Sequence, residues 1–389
     1  MTGVLVVDDS QFMRTVLSTV LSEHGYDVST ASDGESAIEA VTEEQPDVVT
    51  MDVEMPGMGG IEAVERIMEE QPTPILMLSA HTKEGADATL DALSRGAIDF
   101  IPKPSGEIST DIKQLEDELV ETIDALVDAD VDSVSTSRAA DAVQTAADAE
   151  AAVIEASSSV QADASEAAGE QEAVGETPPV PPSYDGSPTV VIGASTGGPR
   201  VVERVLSELP AALNARVLVV QHMPASFTDR LSRRLDDFSE YDVREAADGA
   251  RVTAGEVLVA RGEYHMEVSY AGPEHCKVRL TEADRLHGVR PAIDVTMCSA
   301  AREVDGDLIG VALTGMGRDG AEGIAAIKHA GGATIAQDEE TAPVYGIPKQ
   351  AVETGAVDRV LPDEEIASGV VDLAVELATT RRVEVEPDG

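Results

Sequence analysis

Short apolar runs recur along this chain, each stopping abruptly at polar or acidic residues and followed by a stretch with helical spacing. Gly3–Val7 is such a run, ended by Asp8-Asp9, and Phe12–His24 repeats apolar residues at Phe12, Val16 and Val20. Further strands are predicted at Asp47–Met51, Ile75–Leu78 and Ala97–Ile101, with helices at Ile61–Glu70 and Ala86–Leu93 between them. The pattern resumes at Thr189. Strands are read at Thr189–Ile192, Arg216–Gln221, Val257–Ala260 and Leu308–Leu313, and helices at Val201–Leu209 and Ala321–Ala330. Strand–helix alternation predicts parallel sheets with helices on both faces. The expected class is α/β: two doubly wound parallel-sheet domains joined by a long acidic linker.

A composition shift sets the boundaries. Residues 128–187 are rich in Ala, Ser, Asp and Glu, with Arg138 the one basic and Tyr184 the one aromatic residue, and end near Pro178, Pro179, Pro181 and Pro182. Such a stretch reads as a linker, with Ala139–Ala156 a helical candidate on Ala propensity. The expected organisation is therefore a domain at 1–127, the linker at 128–187, a second domain at 188–380 and an acidic tail at 381–389. A chain of 389 residues accommodates two or three domains.

Charge narrows the function. Acidic residues number 74 against 27 basic, a net charge of -47. That field repels nucleic acid and anionic lipid, so no nucleic-acid partner and no membrane insertion are expected. The balance is similar to that of proteins from salt-accumulating halophiles. In about 1 M salt the Debye length is ~3 Å and the self-repulsion is screened, so loss of structure in dilute buffer is expected. Cys276 and Cys298 form no CxxC pair and read as small buried hydrophobes. The first residues carry no signal-peptide pattern, and no apolar run approaches the ~18–20 residues of a membrane span. A cytoplasmic monomer is expected.

Three features fall just past predicted strand ends: Asp8-Asp9, Asp52 after Met51, and Lys103 after Ile101. Functional crevices of open parallel sheets lie at the carboxyl ends of strands, so these residues should converge. Clustered carboxylates invite a divalent cation, and hard oxygens in an incomplete cage suit Mg²⁺. Asp52 is then a carboxylate nucleophile for a phosphoryl donor, Lys103 a point charge for the phosphoryl oxygens, and Ser79 a hydrogen-bonding group beside them. Singly, an Asp pair is equally a helix cap and a Lys before Pro a surface residue; together they favour a phosphoacceptor pocket.

The segments Val7–Ser10, Met51–Gly60, Leu78–Ala80 and Phe100–Pro104 resemble response-regulator receiver domains over the first 120 or so residues. The resemblance implies a flavodoxin-like fold and phosphorylation of Asp52 by a histidine kinase. It implies Mg²⁺ held by Asp9, Asp52 and the backbone carbonyl of Glu54, with Asp8 acting through water. It also implies Phe100 as a switch aromatic and a cis Lys103–Pro104 bond.

In the second half, Thr189–Ile192 leads into Gly193-Ala194-Ser195-Thr196-Gly197, which fits G-x-S-x-G, and a helix follows near Pro199. The glycines permit a sharp turn that exposes the Ser195 hydroxyl near a helix N-terminus, whose positive end favours an oxyanion. The loop alone leaves three readings open: a nucleophile, a phosphate loop or a plain turn. It lacks the Lys of a P-loop and the Rossmann spacing. His222 ends the strand Arg216–Gln221, placed to act as the base. Asp319, after Leu308–Leu313, lies on the same edge, placed to orient the imidazole. His265 is a rival, with a structural role the plainer reading; His24, His81, His275, His287 and His329 lack any such setting.

These residues, with Gln221–Pro224, Arg290–Val295, Leu313–Gly320 and Tyr345–Pro348, resemble the protein-glutamate methylesterase (CheB) family of chemotaxis from about residue 188 to 380. The resemblance implies a Rossmann-like catalytic domain with a Ser195, His222, Asp319 triad and no cofactor in the esterase site. It places the oxyanion hole on the N–H groups of Thr196 and Met316. It implies methyl-accepting receptors as substrates, with demethylation and glutamine deamidation at one site, and a receiver that covers the cleft until phosphorylated. The long linker departs from the family. A coil of that length separates its ends by roughly 40 Å, which predicts weaker autoinhibition than the family norm. Two rivals remain: a non-catalytic receptor-binding module, and a receiver-gated nucleotide-binding regulator using Gly193–Gly198.

Overall fold

The computed structural model describes residues 1–79, 82–103, 110–127, 178–182 and 184–385. The Ala139–Ala156 helix, the Lys103–Pro104 bond and most of the 128–187 linker lie outside those residues.

The first unit runs β1 (Gly3–Val7), α1 (Gln11–Glu23), β2 (Asp27–Ala31), α2 (Gly34–Glu44), β3 (Val48–Asp52), α3 (Gly60–Glu70), β4 (Ile75–Ser79), α4 (Lys83–Ser94), β5 (Asp99–Pro102) and α5 (Thr110–Val127). Its strands pair in parallel in the order β2-β1-β3-β4-β5. Chain direction across the sheet reverses between β1 and β3, where Asp8-Asp9 and Asp52 end their strands. β2 lacks an apolar run because only Ala31 of its residues is buried, and periodicity does not reveal such a strand.

The second unit comprises β6 (Thr189–Ala194), α6 (Gly198–Glu208), β7 (Arg216–Gln221), α7 (Ala225–Phe238), β8 (Asp242–Glu245), β9 (Arg251–Thr253), β10 (Glu256–Val259), β11 (His265–Ala271) and β12 (His275–Thr281). It continues through α8 (Ile293–Glu303), β13 (Leu308–Ala312), α9 (Ala321–His329), β14 (Ala333–Gln337), α10 (Ile347–Glu353), β15 (Arg359–Leu361) and α11 (Ile366–Val385). Seven strands pair in parallel in the order β15-β14-β13-β6-β7-β10-β8. Both faces are covered: on β7, Val217 and Val219 join one core cluster while Leu218 and Val220 join the other. Continuous apolar strands of this kind are what burial on two sides requires.

Two features go beyond the α/β expectation. β11, β12 and β9 form a small antiparallel sheet, tied to α8 by Ser299, whose hydroxyl accepts from Val268 N–H at 2.9 Å, and by Thr296, whose hydroxyl donates to the Met266 carbonyl at 2.7 Å. The packed unit also extends past its expected ends. Val180 and Tyr184 pack on the core, and α11 continues to Val385. The connection reverses between β6 and β13, so the crevice opens where Ser195, His222 and the 314–319 loop emerge.

Candidate active site

β6 ends at Ala194 and the chain turns through Gly197, whose φ of 75° suits glycine, into α6. Ser195 is held by its own backbone: its N–H donates to the Thr314 carbonyl at 3.0 Å, and its carbonyl accepts from Gly198 N–H at 2.8 Å and Gln221 Nε2 at 2.8 Å. The loop after β13 presses close. A Cβ on Gly315, at φ 155°, would sit 2.5 Å from Ser195 Cβ, so only glycine lets that loop pass the serine.

His222 ends β7, its N–H donating to the Ala194 carbonyl at 3.0 Å. Its Nε2 lies 2.8 Å from Asp319 Oδ2. Asp319 is 2% exposed and has two further anchors. Oδ2 also accepts from Ile293 N–H at 2.7 Å, and Oδ1 from Asp294 N–H at 2.9 Å. Burial alone pushes the Asp319 carboxyl up, but the His222 hydrogen bond and charge, with the two N–H donors, outweigh it and hold it below its usual value. The first turn of α8 thus keeps Asp319 ionised and aimed at the imidazole.

With Nε2 engaged, Nδ1 is the nitrogen left for Ser195, the reverse of the usual ring assignment in such triads. Among the described residues the Ser195 hydroxyl makes no hydrogen bond. The structure therefore brings all three residues to one cavity and closes the imidazole–carboxylate contact, but not the hydroxyl–imidazole one; such bonds often tighten only with substrate. Thr196 and Met316 line the same cavity, and among the described residues neither backbone N–H has a protein acceptor.

Two neighbours escaped the sequence reading. His287, counted among the histidines without a setting, lines this cavity, and its Nε2 lies 2.9 Å from Asp294 Oδ2. Asp294 Oδ1 accepts from Gly320 N–H and Gly323 N–H, at 2.9 and 2.7 Å. Burial and the Asp319 charge raise the Asp294 carboxyl. The Arg290–Val295 segment carries no local signal that the loop before it brings His287 back to the cleft. His265 is 1% exposed, with Nε2 on the Asp284 carbonyl at 3.0 Å and Nδ1 accepting from Ala292 N–H at 3.2 Å; both nitrogens are occupied by the fold. Cys276 and Cys298 are free thiols.

In the first unit, Lys103 Nζ reaches both Asp8 Oδ2 and Asp52 Oδ2 at 2.8 Å. Burial is the main force raising the Asp52 carboxyl, with Asp8 adding to it and Lys103 opposing. Carboxylate oxygens of Asp8, Asp9 and Asp52 lie within 4.8 Å of one another, an all-oxygen donor set of the kind Mg²⁺ takes. Glu54 N–H donates to Asp52 Oδ1 at 3.3 Å. Ser79 is fully buried, its hydroxyl donating to the Gly85 carbonyl at 3.3 Å and accepting from Thr89 at 2.6 Å.

The two units meet over the Ser195 cavity, which has a volume of about 700 Å³. Phe100 stacks on Phe227 with centroids 4.2 Å apart, and Arg230 pairs with Asp87 at 2.8 Å. Asp99, at the start of β5, accepts a hydrogen bond from the Thr196 hydroxyl; burial nevertheless pushes its carboxyl up to about 6.

The CheB methylesterase family model matches residues 190–370, and the response regulator receiver domain model residues 4–113. Over 369 residues the chain is 51% identical to a protein-glutamate methylesterase/protein-glutamine glutaminase of Haloarcula marismortui, covering 95% of this chain and 96% of that one. A relative of the same name in Pyrococcus horikoshii is 44% identical over 376 residues, 96% of this chain and 94% of its own. The crystal structure of the Thermotoga maritima CheB methylesterase catalytic domain is similar at 41% identity and a TM-score of 0.46, covering 48% of this chain and 99% of that one.

Proposed function

The chain belongs to the CheB family of receiver-linked methylesterases, and from that premise we propose how its own residues carry out the reaction. It is a phosphorylation-controlled hydrolase that removes methyl groups from glutamyl γ-methyl esters of chemotaxis receptors, releasing methanol, and hydrolyses receptor glutamines to glutamate.

Ser195 Oγ attacks the ester carbonyl while His222 Nδ1 takes its proton. The Asp319 carboxylate at Nε2 stabilises the imidazolium. The oxyanion is received by the N–H groups of Thr196 and Met316, each such donor contributing ~2.7–4 kcal/mol in the transition state. His222 returns the proton to the departing methoxide oxygen, and methanol leaves. Water then gives its proton to the same nitrogen and attacks the acyl-enzyme; the acyl C–Oγ bond breaks, His222 returns the proton to Ser195 Oγ, and glutamate is freed. An amide passes through the same tetrahedral oxyanion, so one site serves both substrates.

Control comes from the receiver. Asp52 accepts a phosphoryl group from a chemotaxis histidine kinase. Asp9, Asp52 and the Glu54 carbonyl would hold Mg²⁺, which would neutralise charge between the phosphoryl oxygens and the carboxylates. Lys103 steadies the added phosphoryl group, and Ser79 turns from Thr89 and Gly85 to reach it. Leaving those partners disturbs α4, whose Asp87 pairs with Arg230, and the receiver loosens from the cleft. No described helix is long and apolar enough to cross a membrane; we place the enzyme in the cytoplasm, acting on the receptors' cytoplasmic helices.

The observation that carries this reading is the 2.8 Å His222–Asp319 contact beside Ser195 and two open N–H groups. Methanol release from methyl-labelled receptor membranes tests it. Wild type should release methanol, Ser195→Ala should not, and Asp52→Asn should lose stimulation by a phosphodonor. A Ser195→Ala protein that still demethylates receptors rejects the assignment.

A further inference from the structure

The catalytic wall of the cleft carries three arginines, beside Glu263 and Asp319, in a chain that is overwhelmingly acidic. Arg285, Arg290 and Arg318 line the Ser195 cavity, although the whole chain has 27 basic residues against 74 acidic. Their settings differ. Arg290 is a strut: its Nη1 donates to the Glu282 and Ala283 carbonyls at 3.0 and 2.9 Å, and its side chain is 19% exposed. This pins the loop that carries Arg285 and His287. Arg285 and Arg318 are instead open, at 50% and 61% exposure. Arg285 pairs with the equally exposed Glu263 at 2.9 Å, and Arg318 with Glu322, one helical turn away, at 3.1 Å. Exposed pairs of this kind contribute about 0–1 kcal/mol, so either guanidinium exchanges its partner readily.

The opposite wall shows what chemistry these arginines face. It is built by the receiver, and Asp99, Glu118 and Glu121 line it. Leu115, Glu118 and Thr122 of α5 share this wall at the i, i+3, i+7 spacing of one helix face. In the closed molecule, the arginine wall thus looks across the cavity at a helix edge bearing carboxylates.

We propose that Arg285 and Arg318 are specificity residues that bind carboxylates flanking the reacting glutamyl side chain on a receptor helix. The proposal rests on the esterase reading above. Side chains one turn apart on a helix are ~5–6 Å apart at Cβ, so an acidic neighbour of the scissile ester arrives at the rim with it. Guanidinium suits the task because it binds a carboxylate through two parallel hydrogen bonds. Such a contact does not rely on long-range steering, which is lost in molar salt at a Debye length of ~3 Å, although an exposed pair is itself weakened there. Every turnover leaves a new carboxylate on the receptor, so demethylation at one position creates a docking group for an ester one turn away.

The test uses the full chain with acetyl phosphate and Mg²⁺, and two synthetic helical peptides. Each carries one glutamate γ-methyl ester, with either glutamate or alanine four residues away on both sides. Wild type should prefer the acidic peptide by about fivefold in kcat/KM, through KM, the size of one exposed charge-assisted contact. Arg285→Ala with Arg318→Ala should erase the preference and leave kcat and the hydrolysis of p-nitrophenyl acetate unchanged. Arg318→Lys should keep part of it. A preference that persists in the double variant overturns the proposal. So does a parallel loss of p-nitrophenyl acetate hydrolysis, which would put the arginines in the fold or the chemistry instead. If wild type hydrolyses neither peptide nor receptor ester, the esterase reading itself fails.

Discussion

Asp319 is the residue on which the imidazole depends. Its Oδ2 takes both His222 Nε2 and Ile293 N–H, so an amide in its place sets an N–H or a poorer acceptor against a donor. Asp319→Asn should lower kcat for methyl ester hydrolysis by about 10⁴-fold with little change in KM, read from methanol release under saturating receptor; a loss below tenfold would remove Asp319 from the relay. Gly315 is as exacting for a steric reason. A methyl group there lies 2.5 Å from Ser195 Cβ in a backbone conformation that L side chains rarely adopt, so Gly315→Ala should depress both kcat and the thermal midpoint, whereas Gly317→Ala, with open space around its Cβ, should cost only backbone strain. That Ser195, His222 and Asp319 meet at one cavity was legible in sequence because Ser195 and His222 directly follow apolar strands and Asp319 lies in the loop after a third. His287 and Asp294 were not. They meet through a loop and a helix start whose path no local pattern encodes, and the choice of ring nitrogen is a matter of packing alone.

Elements that bury both faces announce themselves; those that do not stay silent. β1, β3, β6, β7 and β13 stand out as apolar runs, but β2, with one buried residue, and β8, with alternating exposure, do not. Nor does sequence show that β5 will lie against the esterase cleft. That placement gives Asp99 a pH-dependent effect on closure. Its neighbours there are the Thr196 hydroxyl and Phe100 N–H, which favour the charged form, and burial, which opposes it more strongly and brings the carboxyl to about 6. The other titratable and charged groups on the cavity are Glu118 and Glu121 on α5 and, across it, His222, Glu263, His287, Asp319, Arg285, Arg290 and Arg318. A carboxyl whose value is raised on closure from the ordinary 3.8 to about 6 favours closure when protonated. Its contribution is full below about pH 4 and is lost as pH rises through about 6. Asp99→Asn keeps an acceptor for Thr196 without the charge. The ratio of wild-type to Asp99→Asn activity on a small neutral ester should therefore climb between about pH 4 and 6 and level off above it. A flat ratio would show that this carboxylate does not influence closure.

For the whole molecule, charge and connection length act together. A net charge of -47 destabilises each compact unit by self-repulsion unless salt screens it. Circular dichroism should therefore show native signal in molar KCl and its loss in millimolar KCl; an unchanged spectrum would refute the halophilic reading. The same screening decides how firmly the receiver closes. The roughly 50 residues from 128 to 177 form a connection long enough to keep the receiver's effective concentration at the cleft on the order of millimolar. Against that dilution stand, among the described residues, the Phe100–Phe227 stack, the Arg230–Asp87 pair, the Asp99–Thr196 hydrogen bond and the packing of α4 on α6 and α7. An aromatic pair contributes about 0.5–1.5 kcal/mol beyond its buried area, and Asp87 is 65% exposed, so the ion pair adds little in molar salt. Closure is then real but shallow. Removing residues 1–127 should raise unstimulated receptor demethylation by no more than about tenfold. Phe227→Leu, which keeps an apolar side chain in α7 but not the ring stack, should reproduce much of that rise in the full chain. A hundredfold jump on deletion would mean that the interface holds far more tightly than these contacts allow.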